Sequence, residues 1–395
     1  MLLFLIFFLR HTLGVKVPTV FEYCSTRMTL AAITSLLITI FAGKYFIKKL
    51  YEWKIGDRVT RDACPLLDEL HRSKNDTPTM GGILILFSLL VSLFLWMDLR
   101  NSFTFLLFLT TLSMGTLGGI DDYLKLCRKN TKGLSAKKKF LFQGIFAFLI
   151  SSYLLWSPVT ESIHIGKWFD PPQAKETVEG LTTKEYASRL YVPFLKEPLF
   201  QFTGFSLIGI ILLIAFVITG SSNAVNLTDG LDGLATGAVM LSASAFALIA
   251  FVSNNLDLSH YLHILYIEGS GEIAIYLAAM AGACLGFLWY NSYPAQVFMG
   301  DTGSLTLGAL LGVSAVLLKR ELLLSIIGGV FVIEALSVLL QVGSYKLRNK
   351  KRIFLCAPLH HHFEYKGWAE TKVVIRFWIM GLLFALVGIA SLKFQ

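Results

Sequence analysis

Charge is what this sequence has least of. Of its 395 residues, 15% are Asp, Glu, Lys or Arg and 55% are hydrophobic, whereas a soluble domain carries about 25% charged residues. The deficit is concentrated in long uncharged windows, which excludes a water-soluble fold for most of the chain. Paired cysteines are also lacking. Cys24, Cys64, Cys127, Cys284 and Cys356 form no C-x-x-C pair, which excludes a disulfide frame or a cysteine zinc site. There is no G-x-x-x-x-G-K-[ST] string, hence no P-loop, and no strand–helix context for a dinucleotide fold. No internal repeat and no soluble domain are evident, and no nucleic-acid partner is expected. The apolar run Leu2–Phe8 lacks a basic flank and a small-residue cleavage site, so residues 1–27 are expected to form an interfacial segment, not a removed signal.

What is present is a series of ten apolar windows, roughly 28–47, 80–97, 101–120, 140–157, 200–221, 234–254, 273–290, 302–318, 322–344 and 373–392, each near the length that crosses a bilayer as a helix. The expected fold is an all-α polytopic membrane protein, one integral membrane domain over 1–395. The net charge of +9 is unevenly spread. Lys48, Lys49, Lys54, Arg58, Arg61, Arg72 and Lys74 follow the first window. Lys125, Arg128, Lys129, Lys132, Lys137, Lys138 and Lys139 follow the third, and Lys346, Arg348, Lys350, Lys351, Arg352, Lys366 and Lys372 the ninth. The 255–272 connection has neither Lys nor Arg, and 158–199 mixes both signs. By the positive-inside rule the odd-numbered connections are cytoplasmic, both termini lie outside and 158–199 is a periplasmic loop. Topology accounts for part of the basic charge; the remainder attracts anionic membrane lipids or an anionic substrate.

Five polar stretches fall on the five odd-numbered connections: "SKNDTPTMGG" (73–82), "DDYLKLCRKNTKGLSAKKK" (121–139), "NAVNLTDGLDGLA" (223–235), "NSYPAQVFMGDTGSL" (291–305) and "APLHHHFEYKGW" (357–368). If the count of ten is right, all five meet on the cytoplasmic face as one site; a count wrong by one scatters them.

Asp121 and Asp122 are neighbours, so on a helix they point about 100° apart and serve different ends. Asp229 and Asp232 share a face. Asp301 opens an apolar helix, where a helix N-cap is the plain alternative. Carboxylates with hydroxyl and amide neighbours, and no histidine or cysteine at ligand spacing, suit a hard cation such as Mg2+. His360, His361 and His362 are consecutive and cannot all face one metal; they can donate to phosphate or move a proton, or they are a solvated tract. Lys74, Lys125 and Lys137 are point charges for phosphate. The glycines of "TDGLDG" permit close backbone approach. Phe298 can stack on a base or anchor at the interface. Glu334, inside the ninth window, marks a break or a polar pocket.

Together "TPTMGG", "DDYLK", "NAVNLTDGLDGLA", "NSYPAQVFMGD" and "APLHHHFEYKGW" resemble the phospho-N-acetylmuramoyl-pentapeptide transferases, within the polyprenyl-phosphate N-acetylhexosamine-1-phosphate transferases. The resemblance spans 77–368 and implies a bacterial inner-membrane enzyme of cell-wall synthesis. Such an enzyme moves phospho-MurNAc-pentapeptide from UDP-MurNAc-pentapeptide to undecaprenyl phosphate, giving lipid I and UMP, with Mg2+. It implies Asp301 as metal ligand with Asp121 beside it, and Asp122 as base or nucleophile. Direct attack and a covalent aspartyl intermediate both stay open. Lys74, Thr79, Asn223, Asn226, Asp229, Asp232, Asn291, Phe298 and Gly300 match the uridine and diphosphate site, Lys125 and Lys137 the phosphate-side lysines, and the three histidines flank diphosphate or sugar. A homodimer is compatible. The competing readings are the same chemistry on UDP-GlcNAc, an ion transporter, whose acidic residues sit near the bilayer midplane, and a structural scaffold.

Overall fold

A computed structural model describes residues 2–16, 18–53, 74, 77–126, 133–156, 168–169, 172, 174–175, 180–181 and 183–393. Cys64, Cys127 and the basic residues Lys54, Arg58, Arg61, Arg72, Arg128, Lys129 and Lys132 lie outside them, as does most of 158–182. The described chain is almost wholly helical. After an N-terminal helix α1 (Leu2–His11) come α2 (Cys24–Glu52), α3 (Gly82–Trp96), α4 (Ser102–Leu126), α5 (Ala136–Leu155), α6 (Leu207–Thr228), α7 (Leu234–Ser253), α8 (Gly271–Asn291) and α9 (Gly300–Leu317). Then follow α10 (Glu321–Ile327), α11 (Gly329–Leu347), α12 (Leu359–Tyr365) and α13 (Glu370–Ser391).

Among the described residues, nine helices have the length and apolarity to cross a membrane, and α3 is a shorter apolar helix. These ten match the ten windows in order. Their backbones must bond internally because lipid offers no partners, so an uncharged run of this length has little alternative to helix. Departures occur at the ends. α3 starts at Gly82 because residues 78–82 pair instead with 298–299: Phe298 N–H donates to Pro78 O, and Gly81 and Gly82 N–H donate to Phe298 and Met299 O. α4 continues through Leu126, so Asp121 and Asp122 are helical and buried at 0% and 3% exposure. The ninth window is not one helix. It breaks at the pair Gly328–Gly329 into α10 and α11, where two adjacent residues of low helix propensity coincide.

The centre is α9, 89% of whose apolar window is buried, with α8 at 78% and α7 at 72%. α2, α6, α11 and α13 form the periphery, each a third buried or less, so their outward apolar faces suit hydrocarbon. α9 packs between α4 and α6. Gly118 of α4 permits the contact: a Cβ there falls 2.4 Å from Asp301 O.

Two short antiparallel sheets close one end. β1 (Ala174–Lys175) bonds to β2 (Gly180–Leu181), and β3 (Arg189–Leu190) to β4 (Phe200–Gln201); β5 (Tyr266–Ile267) also joins β1. The described residues Ala174–Lys175 therefore lie beside Tyr266–Ile267 of the 255–272 connection. The start of α2 is at that end, where the Cys24 thiol donates to Gly271 O. So is the end of α13, where Lys393 Nζ stands 3.5 Å over the Tyr261 ring. The five polar stretches meet at the other end.

Candidate active site

Four helix ends build the acidic centre: the ends of α4 and α6 and the starts of α5 and α9. Adjacent positions near the end of α4 send Asp121 and Asp122 in different directions. Asp122 reaches the first turn of α9: Oδ1 accepts from Asp301 N (3.1 Å), and Oδ2 from Thr302 N (2.9 Å) and Thr302 Oγ1 (2.6 Å). α9 has no side-chain cap of its own. Asp122 thus supplies from another helix the acceptor that the first-turn N–H groups need. The N-cap alternative for Asp301 does not hold, since its carboxylate faces the lysines. Gly300 sits at φ +74°, and a Cβ there falls 2.8 Å from Asp122 Oδ2, so the tight entry into α9 favours glycine.

Asp121 Oδ2 binds Lys125 Nζ (2.7 Å), one turn on, and Lys139 Nζ (2.8 Å); Oδ1 accepts from Leu134 N (2.7 Å). Asp301 Oδ2 binds the same two ammoniums at 3.2 and 2.6 Å, and Oδ1 accepts from Asn226 Nδ2 (2.9 Å). One oxygen from each of Asp121, Asp122 and Asp301 lies within 4.8 Å of the others. Three carboxylates against two ammoniums leave the group one positive charge short when all are ionised. Hard oxygen donors with that deficit fit a divalent cation.

Lys74 forms a second bridge, to Asp232 Oδ1 and Glu370 Oε1, both at 2.6 Å. Glu370 also accepts from Asp232 N (2.9 Å), and Asp232 Oδ2 accepts from Ala295 N (3.0 Å). Lys74, Thr79, Asp122, Lys125, Asn226 and Asp229 line a cavity of about 230 Å³ together with Asp232, Asn291, Phe298, Gly300 and Asp301. Asn291 holds the wall, donating to Val297 O (2.9 Å) and accepting from Thr236 Oγ1 (2.9 Å). Burial, then the carboxylates of Asp301, Asp122 and Asp232, push Asp229 up to about 7.

Lys137 and Asn223 lie outside this cavity, in an adjoining open groove of about 800 Å³ that also carries Lys139, Phe140, Leu141 and Asn226. Asn223 donates to Gln143 Oε1 (2.8 Å) and Thr219 O (2.7 Å). The histidines face three ways on α12. Glu334 accepts from Leu359 N (2.7 Å) and His360 N (3.1 Å), which makes it the polar pocket expected of it. His360 is 0% exposed, and its Nε2 sits 2.3 Å from where a Cβ on Gly230 would be. It backs the cavity wall. The His361 ring bonds Glu364 Oε2 (2.6 Å). His362 Nδ1 accepts from Leu355 N (3.1 Å), and burial with nearby Lys366 lowers its pKa.

Sequence reasoning passed over Lys139, Glu370 and Thr302. Three lysines run from 137 to 139, and only helix phase decides that Lys139 turns inward while Lys137 and Lys138 stay exposed. Helical spacing from Asn223 and Asn226 offered no link to the loop lysines, and Glu370 carried no signal at all.

Comparison with known proteins gives the same direction. Residues 104–319 match glycosyl transferase family 4, and 74–86 match signature 1 of phospho-N-acetylmuramoyl-pentapeptide-transferase. A relative from Protochlamydia amoebophila (strain UWE25), named phospho-N-acetylmuramoyl-pentapeptide-transferase, is 64% identical over 410 aligned positions, covering 100% of both chains.

Proposed function

The chain belongs to the phospho-N-acetylmuramoyl-pentapeptide-transferase family, and we propose that the aspartate–lysine cluster is where it performs that transfer. Phospho-MurNAc-pentapeptide passes from UDP-MurNAc-pentapeptide to undecaprenyl phosphate, giving lipid I and UMP in peptidoglycan synthesis. One phosphoanhydride bond breaks and another forms, so the protein's task is positioning and charge neutralisation. The observation that carries this reading is the pair of ammoniums, Lys125 and Lys139, each shared by Asp121 and Asp301 between a polar cavity and a more open groove.

The nucleotide end of the donor takes the cavity, with Phe298 against the base, Asn226, Asp229 and Asn291 around it, and Lys74 and Lys125 toward the diphosphate. The lipid phosphate takes the groove, where Lys137, Lys139 and Asn223 meet the apolar Phe140 and Leu141. Lys139 serves both sides. Asp301 and Asp121 would hold Mg2+, and the ion would supply charge neutralisation for the leaving UMP. Asp122 is fixed by three hydrogen bonds, and its Oδ1, accepting one, keeps a lone pair for a proton or a phosphorus. His360, behind Gly230, fixes the loop carrying Asp229 and Asp232. His361 and His362 hold α12. The polar end faces the cytoplasm, where the soluble UDP donor is, and the enzyme is a multi-pass protein of the bacterial inner membrane.

The test is direct. Purified chain, undecaprenyl phosphate, UDP-MurNAc-pentapeptide and Mg2+ are expected to yield UMP and a lipid-linked product. UMP released with UDP-GlcNAc as donor, and none with the muramoyl donor, reassigns the sugar.

A further inference from the structure

The end of the molecule opposite the aspartates carries charge that the transfer reaction does not use. α9 is 18 residues long, so its far end lies roughly 24 Å from Asp301 at 1.5 Å per residue. There Lys319, Arg320 and Glu321 follow in sequence, at 2%, 5% and 2% exposure. Lys319 is satisfied: its Nζ binds Glu321 Oε1 (2.6 Å) and donates to Ala187 O (3.2 Å). Two buried cations against one buried carboxylate leave one positive charge over. It belongs to Arg320, which meets the Tyr191 ring at 5.7 Å but makes no ion pair or side-chain hydrogen bond among the described residues. Glu321 acts on Arg320 through space but is already bonded to Lys319, and a buried guanidinium that is only partly balanced and has idle donors is costly.

Arg320 is not sealed in. It lines a cavity of about 330 Å³ with Tyr191, Lys196, Glu197, His260 and His263. Lys196 and Arg320 outweigh Glu197 by one charge, and both histidines add donors. Apart from Arg320, the lining comes from two connections, 191–197 and 259–265. Beside Lys196 in sequence, Phe194, Leu195, Leu199 and Phe200 are 47–59% exposed. Exposed apolar residues next to a basic cavity are what a headgroup site at a lipid boundary presents.

We infer that this cavity is a second anion site, remote from the transfer centre, in which Arg320 and Lys196 bind a phosphate group. The planar fork of arginine matches phosphate oxygens two at a time, and Lys196 adds a point charge from the rim. The phosphate belongs either to an anionic phospholipid of the leaflet opposite the aspartates or to free phosphate. The plain alternative is that Arg320 only complements the negative end of α9.

Thermal unfolding of the full chain in neutral detergent separates these. The probes are dihexanoyl-phosphatidylglycerol and inorganic phosphate, with chloride at matched ionic strength as control. Phosphatidylglycerol is expected to raise the unfolding temperature of the native chain. Its apparent Kd weakens about tenfold in Arg320→Gln and also in Lys196→Gln. Lys196 is exposed, so its replacement leaves the core intact and tests the site even if Arg320→Gln folds poorly. If inorganic phosphate reproduces the variant-sensitive shift at equal or lower concentration, the site stands with free phosphate as its ligand. Equal Kd values in native and variant chains for both anions overturn the proposal. A loss confined to Arg320→Gln, with Lys196→Gln binding like the native chain, overturns it too and leaves the helix-dipole role.

Discussion

The two ends of this molecule both bury charge, and they bury it differently. At the loop-covered end, Arg27 binds Glu272 at 2.7 Å and Asp98 N–H donates to the other carboxylate oxygen at 2.9 Å; Lys319 binds Glu321. Glu272 and Glu321 there are each bridged by a single cation. At the polar end each lysine is divided between two carboxylates: Lys125 and Lys139 between Asp121 and Asp301, Lys74 between Asp232 and Glu370. One-to-one pairing closes a structure. Shared pairing facing a cavity leaves oxygens that a cation or phosphate ligand set can recruit.

That contrast predicts opposite consequences for similar changes. Asp301→Asn removes a shared carboxylate and is expected to cut turnover by about 10³-fold or more, with only a small change in unfolding temperature. Glu272→Gln leaves Arg27 buried without its counter-ion and is expected to cost about 3 kcal/mol of stability, while turnover per folded molecule stays near normal. Measuring both quantities on both variants breaks the comparison if Glu272→Gln loses turnover at an unchanged unfolding temperature.

Asp122 belongs to both categories, since it faces the site and also caps α9. Asp122→Asn replaces an acceptor by an amide that must present a donor to Thr302 or to Asp301. Turnover is expected to fall about 10²- to 10³-fold, and stability by about 1–2 kcal/mol from the lost cap. Nucleotide affinity changes less. Equal loss in affinity and turnover assigns Asp122 to binding alone.

The transmembrane array was legible because hydrocarbon imposes one solution on an uncharged run, and the five polar stretches were legible because so little else in the chain is polar. The five stretches meet at one end, as a count of ten requires, although among the described residues nine helices have the length and apolarity to cross a membrane and α3 is shorter. What the sequence did not disclose depends on contacts between distant segments. Lys139 and Lys137 are equivalent as letters and differ only in helix phase. Asp122 finds its partners on a helix that begins 178 residues later, at an entry that Gly118 and Gly300 make possible. Glu334 was visible as an anomaly, but its partners, the N–H groups of Leu359 and His360, carry no side-chain signal. The histidine triplet drew notice through composition, while burial of His360 against Gly230 is purely tertiary.

Asp229 sharpens the comparison through pH. Its pKa stands near 7 in the folded chain, against an ordinary 3.8, so the folded state holds a proton that the unfolded chain releases. The contribution of Asp229 to stability is then greatest below about 4 and falls as pH rises toward 7, because unfolding releases its proton over that window. Asp229→Asn is expected to flatten this part of the stability profile, measured without divalent cation. A slope unchanged between pH 4 and 7 assigns the fall to other groups.

Phe298 gives the smallest effect and probes the polar end where no charge is involved. Its backbone N–H donates to Pro78 O at 2.8 Å and its carbonyl accepts from Gly81 N at 2.8 Å, so the main chain holds the segment whatever the side chain is. The ring lines the cavity and is half-buried. Phe298→Ala should therefore leave the strand-like pairing and the unfolding temperature nearly unaltered, and weaken nucleotide binding by about 1–3 kcal/mol through lost stacking. Titration with UMP isolates this from the lipid substrate. Unchanged UMP affinity returns the ring to a role in interface anchoring, and the cavity's hold on the nucleotide then rests on its charged and amide groups alone.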